Sequence, residues 1–201
     1  MVRIIAGRFR GLKLVAPKGR NTRPTADQVK EAIFSMLHSL PFEIEGARVL
    51  DFFAGSGALG LEALSRGALS VLLTDYDREA LAALSRNIET AGASGEAAIM
   101  RTRWPKGFER LSEPFNLFLL DPPYDEAKLP LNLLKSAAGA GLAVPGAVAV
   151  WEQSPGTLKT WSASDSAPWE PVCSRSWGNR AAAFLRLTGS GTHENEGNIL
   201  L

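Results

Sequence analysis

Three short apolar runs in this 201-residue chain end in an aspartate: Val49 to Asp51, Ser70 to Asp75 and Phe115 to Asp121. After the first come Phe52-Phe53-Ala54-Gly55-Ser56-Gly57-Ala58-Leu59-Gly60, with glycines at G-x-G-x-x-G spacing. Strand, glycine turn and helix in that order suit a nucleoside. The chain must turn sharply, its backbone must approach a ligand, and the new helix must pack closely on the strand. Asp75 follows Gly55 at about the offset, roughly 20 residues, of an acid that takes ribose hydroxyls.

Asp51 narrows the choice of nucleoside. A dinucleotide would set its pyrophosphate at the N-terminus of the following helix, where backbone N–H groups favour anions. A carboxylate immediately before that turn would repel it. The same carboxylate suits an ammonium or a sulfonium, and S-adenosylmethionine carries both, with a ribose for Asp75. The candidate cofactor residues are Asp51, Phe53, Ala54, Gly55, Ser56, Gly57, Asp75 and Tyr76.

Asp121 opens a second candidate site, Asp121-Pro122-Pro123-Tyr124. Two prolines stiffen the backbone and remove two N–H donors, leaving carbonyls free to accept. An aspartate and a following carbonyl can take both hydrogens of an –NH₂ group, while Tyr124 offers a flat face for a base. An exocyclic amine is a poor nucleophile because its lone pair is delocalised into the ring. Acceptors on its hydrogens localise that pair and aim it. Such chemistry rests on positioning and electrostatics and needs no metal. The base must be exposed, as in a flipped or looped-out nucleotide.

The elements that would position these residues alternate. Val49 to Phe53, Ser70 to Thr74, Ala97 to Arg101, Phe115 to Leu120 and Ala147 to Trp151 read as strands. Ala58 to Arg66, Asp77 to Ala91 and Leu129 to Ala140 read as helices, with Asp77 as N-cap and Gly92 as stop. Phe108 to Leu111 is a short helix at most. Trp169 to Arg175 and Arg180 to Leu187 read as a closing hairpin. The expected fold is α/β, a doubly wound, Rossmann-like, seven-stranded mixed sheet with helices on both faces. Ligands of such sheets bind beyond the carboxyl ends of the strands, so the three aspartates are expected to line one crevice. Ahead of the sheet, Val2 to Ala16 predicts a basic hairpin. A helix then starts at Thr25, whose spacing to Gln28 makes a capping box, and ends before Pro41.

The net charge of +1 hides an asymmetry. Residues 1–30 hold eight basic residues against Asp27 alone, a net of +7, and the remaining 171 residues sum to −6. A basic arm on an acidic body points to a polyanion. The candidate nucleic-acid contacts are Arg8, Arg10, Lys13, Arg23 and Lys30, with Phe9 as a stacking face. Cys173 is the only cysteine and reads as a buried small hydrophobe. His38 and His193 form no cluster, and no segment has the roughly 20 apolar residues of a membrane span. The first fourteen residues lack a secretory pattern, so cytoplasm is the expected compartment.

The turn Asp51 to Gly60, followed by Leu61-Glu62-Ala63-Leu64-Ser65-Arg66-Gly67-Ala68, resembles the class I S-adenosylmethionine-dependent methyltransferases, and Asp121 to Tyr124 resembles their amino-methylating branch. Arg3-Ile4-Ile5-Ala6-Gly7, Thr22-Arg23-Pro24-Thr25 and Glu31-Ala32-Ile33-Phe34 are similar to one family within it, the bacterial 16S rRNA (guanine(966)-N2)-methyltransferases. The resemblance covers roughly Met1 to Leu187, since motifs from both halves agree. It implies S-adenosylmethionine as cofactor and N2-methylguanine as product. The implied substrate is 16S rRNA on the 30S subunit or an assembly intermediate, handled by a monomer without metal. With the residue patterns, the expected division is a basic RNA-binding hairpin and loop (1–24), a methyltransferase domain (25–188) and a polar, Gly-rich tail (189–201) that reads as flexible and, like the rest of the chain after Leu187, lies outside the resemblance. Met100-Arg101-Thr102-Arg103 departs from the family pattern, because many class I enzymes carry an acid there for the adenine amine. Ser154 to Pro168 matches no pattern. Asp-Pro-Pro-Tyr is shared with DNA adenine or cytosine amino-methyltransferases, but these usually carry a large target-recognition domain. Glutamine methyltransferases usually carry Asn at the position of Asp121. A non-catalytic RNA-binding factor on the same fold would not need both motifs intact.

Overall fold

The central strands are apolar on both sides, and this dictates a sheet covered on both faces. The computed structural model describes residues 2–17, 25–122 and 129–188. Within them run β1 (Val2–Arg3), β2 (Lys13–Leu14), α1 (Thr25–Ser39), β3 (Arg48–Asp51), α2 (Ala58–Ser65), β4 (Ser70–Asp75), α3 (Arg78–Ala91) and β5 (Ala97–Arg101). After a 3-10 turn at Phe108–Arg110 come β6 (Phe115–Leu120), α4 (Leu129–Gly139), β7 (Ala143–Gln153), α5 (Pro155–Thr160), β8 (Trp169–Trp177) and β9 (Arg180–Leu187).

One seven-stranded sheet runs β5-β4-β3-β6-β7-β9-β8, with β9 antiparallel to both β7 and β8 and the other neighbours parallel. The strand order reverses between β3 and β6. A crevice opens at their carboxyl ends, because the crossovers leave β3 and β6 in opposite directions. Residues of alternate parity feed two cores. Val49, Leu73, Leu119 and Val150 pack under α1, α2 and α3, with Ile33, Phe34, Leu61 and Leu84. Leu50, Phe118, Leu120 and Trp151 pack on the opposite face with Leu133 and Leu134 of α4. Each fully buried Leu or Phe contributes about 2 kcal/mol to this packing.

Local signals set most boundaries. Asp77 caps α3 by accepting the Ala80 N–H, and Gly92 ends it at φ +65°. Two elements differ most from expectation, while β3 ends at Asp51, two residues early, and β8 runs on to Trp177. β7 starts at Ala143, four residues early, because the strand passes through Pro145 and Gly146 with a register shift opposite β6. α5 lies in the stretch that matched no pattern. Its sequence signal was present: Ser154 caps it by accepting the Thr157 N–H, and Pro155 stands in its first turn. Cys173 is half-buried on β8, more open than a core residue.

β1 and β2 pair antiparallel, as a hairpin requires. They are part of the main body, since Val2, Ile4 and Leu14 are buried in the core beneath α1. Residues 18–24 and 189–201 lie outside the described residues, and so do the expectations placed on Arg23 and on a flexible tail.

Candidate active site

The glycine turn joins β3 to α2 directly. Gly60 has no room for a side chain, because a Cβ there would meet Leu73 Cδ2 at 2.4 Å and Val71 Cγ2 at 2.9 Å. The close approach brings its N–H to Asp51 Oδ2 at 3.1 Å. Asp51 is 1% exposed, and its Oδ1 has no hydrogen-bond partner among the described residues. Burial pushes its carboxyl up from 3.8 to about 7; the Gly60 N–H opposes this, and the negative fields of Asp121 and Asp75 add to it. A buried carboxylate with an orphaned oxygen suits a cationic ligand group.

Asp75 ends β4 in register with Arg101 of β5. Its Oδ2 accepts the Gly55 N–H at 3.0 Å, and its Oδ1 accepts those of Tyr76 (2.8 Å) and Asp77 (3.0 Å). Three of its roughly four lone-pair sites are taken, which leaves Oδ2 capacity for one hydroxyl donor. Beside it lies a cavity of about 110 Å³, lined by Phe53, Tyr76, Thr102, Arg103, Trp104 and Leu129 among others. The Arg103 guanidinium stacks 4.3 Å above the Tyr76 ring. Trp104 is anchored through its indole N–H, which donates to Thr74 Oγ1 at 2.9 Å. At the position where the family pattern led to the expectation of an acid, this chain offers a slot between flat side chains. The remaining turn residues act through their backbone: the Ala54 N–H donates to the Thr74 carbonyl, and the Ser56 carbonyl accepts from Asn87. The residues present therefore fit a ligand with a cation at Asp51, a hydroxyl at Asp75 and a flat ring in the slot.

Asp121 follows β6 and is exposed, and Pro122 is buried. Pro123 and Tyr124 lie outside the described residues. Leu120 pairs with Trp151, so Glu152 at the end of β7 is the next neighbour across from Asp121. Glu152 is 5% exposed, and Arg180 Nη1 donates to its Oε1. Burial raises its carboxyl to about 8, with Asp121 adding and Arg180 opposing.

The basic arm divides. Arg8, Arg10 and Lys13 are exposed. Arg8 pairs with Glu96 at 2.6 Å, and its guanidinium lies 4.5 Å over Phe9, so this ring is covered by a cation and packs on the core instead of presenting an open face. Lys30 is not a surface contact. It is 4% exposed, stands 3.3 Å from Glu62 Oε2 and donates to the Arg3 carbonyl. Burial lowers its pKa and Glu62 opposes that. Helix periodicity turned Lys30 inwards because a fully buried acid waits there.

That acid, Glu62 of α2, fastens the arm to the helix behind the glycine turn. It accepts the N–H groups of Ile5 (2.7 Å) and Ala6 (3.0 Å) and pairs with Arg66 at 2.8 Å. Gly7, at φ +80°, lies so close that a Cβ would fall 1.8 Å from the Ser65 carbonyl. Asn87 of α3 makes a second tie. It exchanges two hydrogen bonds with the Val15 backbone (2.8 and 2.9 Å) and donates to the Ser56 carbonyl at 2.8 Å.

The family model described as "Conserved hypothetical protein 95" matches residues 2–185. The chain belongs to this family. Among relatives of that kind, ribosomal RNA small subunit methyltransferase D of Escherichia coli (strain K12) is 40% identical over 136 residues, 67% of each chain. The protein of the same name from Haemophilus influenzae is 41% identical over 128 residues, 61% of this chain and 64% of that one. The solved structure of yhhF from Escherichia coli superposes with a TM-score of 0.76 at 32% identity, over 93% of this chain and 98% of that chain. The fold is that of the class I methyltransferases, as the resemblance implied.

Sequence reasoning missed Glu62, Asn87 and Glu152. Glu62 and Asn87 each stand in a helix among apolar neighbours, which was a usable signal of burial. Glu152 follows the apolar run Ala147 to Trp151 much as Asp121 follows Phe115 to Leu120, and could have been found by the same rule.

Proposed function

We propose that this protein transfers a methyl group from S-adenosylmethionine to the exocyclic N2 amine of a guanine in 16S rRNA, on the 30S subunit or an assembly intermediate, in the cytoplasm. The observation that carries the reading is the shared edge: Asp51, Asp75 and Asp121 all stand at the carboxyl ends of adjacent strands around the switch point. The names of the relatives support the substrate class, and the exposed Arg8, Arg10 and Lys13 supply charge for an RNA backbone.

The chemistry the cofactor supplies is an electrophilic methyl on a positively charged sulfur. Asp51 would hold the ammonium, Asp75 a ribose hydroxyl, and the slot beside Trp104 the adenine. Asp121 and the carbonyl after it accept the two N2 hydrogens, localise the lone pair and aim it at the cofactor side. Asp121 takes the proton that N2 sheds as its new bond forms. Tyr124 serves as the stacking face for the extruded base. No metal is required, because the leaving group departs neutral.

The test is transfer of labelled methyl to 30S particles, naked 16S rRNA and DNA in parallel, followed by nucleoside analysis. Label in N2-methylguanosine of the rRNA is the expected outcome. Label confined to DNA, or none in any substrate, overturns it.

A further inference from the structure

The crevice holds an acid that the transfer itself does not use. Asp51 pairs in register with Leu119, Leu119 with Val150, and Leu120 with Trp151. Side chains alternate faces along a strand, and neighbouring strands are about 4.8 Å apart. Continuing the pleat one residue past β6 puts Asp121 and Glu152 side by side, on the sheet face that Asp51 also uses. The order across the edge is Asp51, Asp121, Glu152. The cofactor's acid lies on one side of the acceptor's acid, and Glu152 lies on the other.

An amine aimed from Asp121 towards Asp51 must carry its ring on the opposite side, over β7. Glu152 is fixed there. Arg180, reaching over from β9, donates to Oε1, and a carboxylate has lone pairs on both oxygens for further donors. On a guanine, the carbon that bears the N2 amine is flanked by N1, which bears a hydrogen, and by N3, which bears a lone pair. On adenine or cytosine, the ring nitrogen next to the amine bears a lone pair. We propose that Glu152 is a specificity-determining residue that accepts the N1–H of the target guanine, with Arg180 setting the position of its carboxylate. A base that presents an unprotonated ring nitrogen on that side sets a lone pair against the ionised carboxylate and is rejected, so the discrimination is fullest above about pH 8, where Glu152 is charged before the base arrives. A donor arriving at the carboxylate also favours the ionised acid that burial resists.

The inference rests on the N2-guanine reading, and 2-aminopurine separates the two. This base keeps the N2 amine and lacks the N1 hydrogen. In 30S particles rebuilt with 2-aminopurine at the methylated position, wild-type enzyme should favour guanine in kcat/KM by roughly 10- to 100-fold, the worth of a hydrogen bond to a charged group. In Glu152→Gln the amide can donate to the bare N1, so guanine should slow, 2-aminopurine should gain, and the preference should fall to about one. A wild-type enzyme indifferent to the two bases overturns the proposal without any variant. So does a preference that Glu152→Gln leaves intact while binding S-adenosylhomocysteine as wild type does. Failure to methylate either base overturns the N2-guanine reading, and the proposal with it.

Discussion

Asp75 Oδ2 accepts the Gly55 N–H at 3.0 Å, so the acid ending β4 also holds the glycine turn after β3. Asp75→Ala leaves this N–H and those of Tyr76 and Asp77 without their acceptor. Each unsatisfied buried donor costs about 1–3 kcal/mol. The expected outcome is a lower Tm together with loss of S-adenosylhomocysteine binding by calorimetry. A weaker affinity at an unchanged Tm would mean that the turn keeps its shape alone.

Asp51 should make cofactor binding depend on pH. Its carboxyl is neutral below about 7 in the free protein and charged above. The ammonium of the cofactor needs the charged form, so affinity rises with pH up to about 7, by about tenfold per unit at most, and levels off above. In the free protein the sign reverses. The folded state keeps a proton that the unfolded chain releases near 3.8, so Asp51 costs stability as pH rises from there to about 7. Asp51→Asn should flatten both profiles in calorimetry and thermal melts.

Asp121→Ala should lower the transfer rate by about 100-fold or more, the scale of losing a preorganised polar group in an active site. Cofactor affinity should hold or improve near neutral pH, because Asp121 helps to keep Asp51 protonated. Transfer at the wild-type rate would remove Asp121 from its role.

Lys30 and Arg10 should separate cleanly in salt titrations. Arg10→Glu should reduce the salt slope of RNA binding by about one unit, since one phosphate is no longer neutralised. Lys30→Ala should leave the slope alone and lower the Tm, because it strips Glu62 of one of two cationic partners; Arg66 and two backbone N–H groups remain, so the loss should stay below the about 3–5 kcal/mol of a buried charge left unpaired. A changed slope in Lys30→Ala would return Lys30 to the RNA surface.

Asn87 joins the arm at Val15 to the turn at Ser56. RNA held by the arm should therefore tighten cofactor binding, and by linkage the cofactor should tighten RNA. The expected coupling is about 5-fold or more, lost in Asn87→Ala. S-adenosylhomocysteine titrations with and without rRNA measure it, and equal coupling in both proteins would reduce Asn87 to structural glue.

Much of the site was legible because its determinants are local. The glycine spacing, the acid ending each strand, the Asp77 cap and the Gly92 stop all act within a few residues. The sequence by itself therefore determined the strand–turn–helix unit, the alternation that becomes a doubly wound sheet, and the Asp121 motif. Only the tertiary structure decided which way charged residues face. Lys30 reads as surface charge until Glu62 appears 32 positions later, and Asn87 acquires its role from Val15, 72 positions earlier. Glu152 becomes part of the site only when the β6–β7 register sets it beside Asp121. The fate of a polar group depends on whether burial is matched by a partner, and these partners are brought together by the sheet and not by the chain.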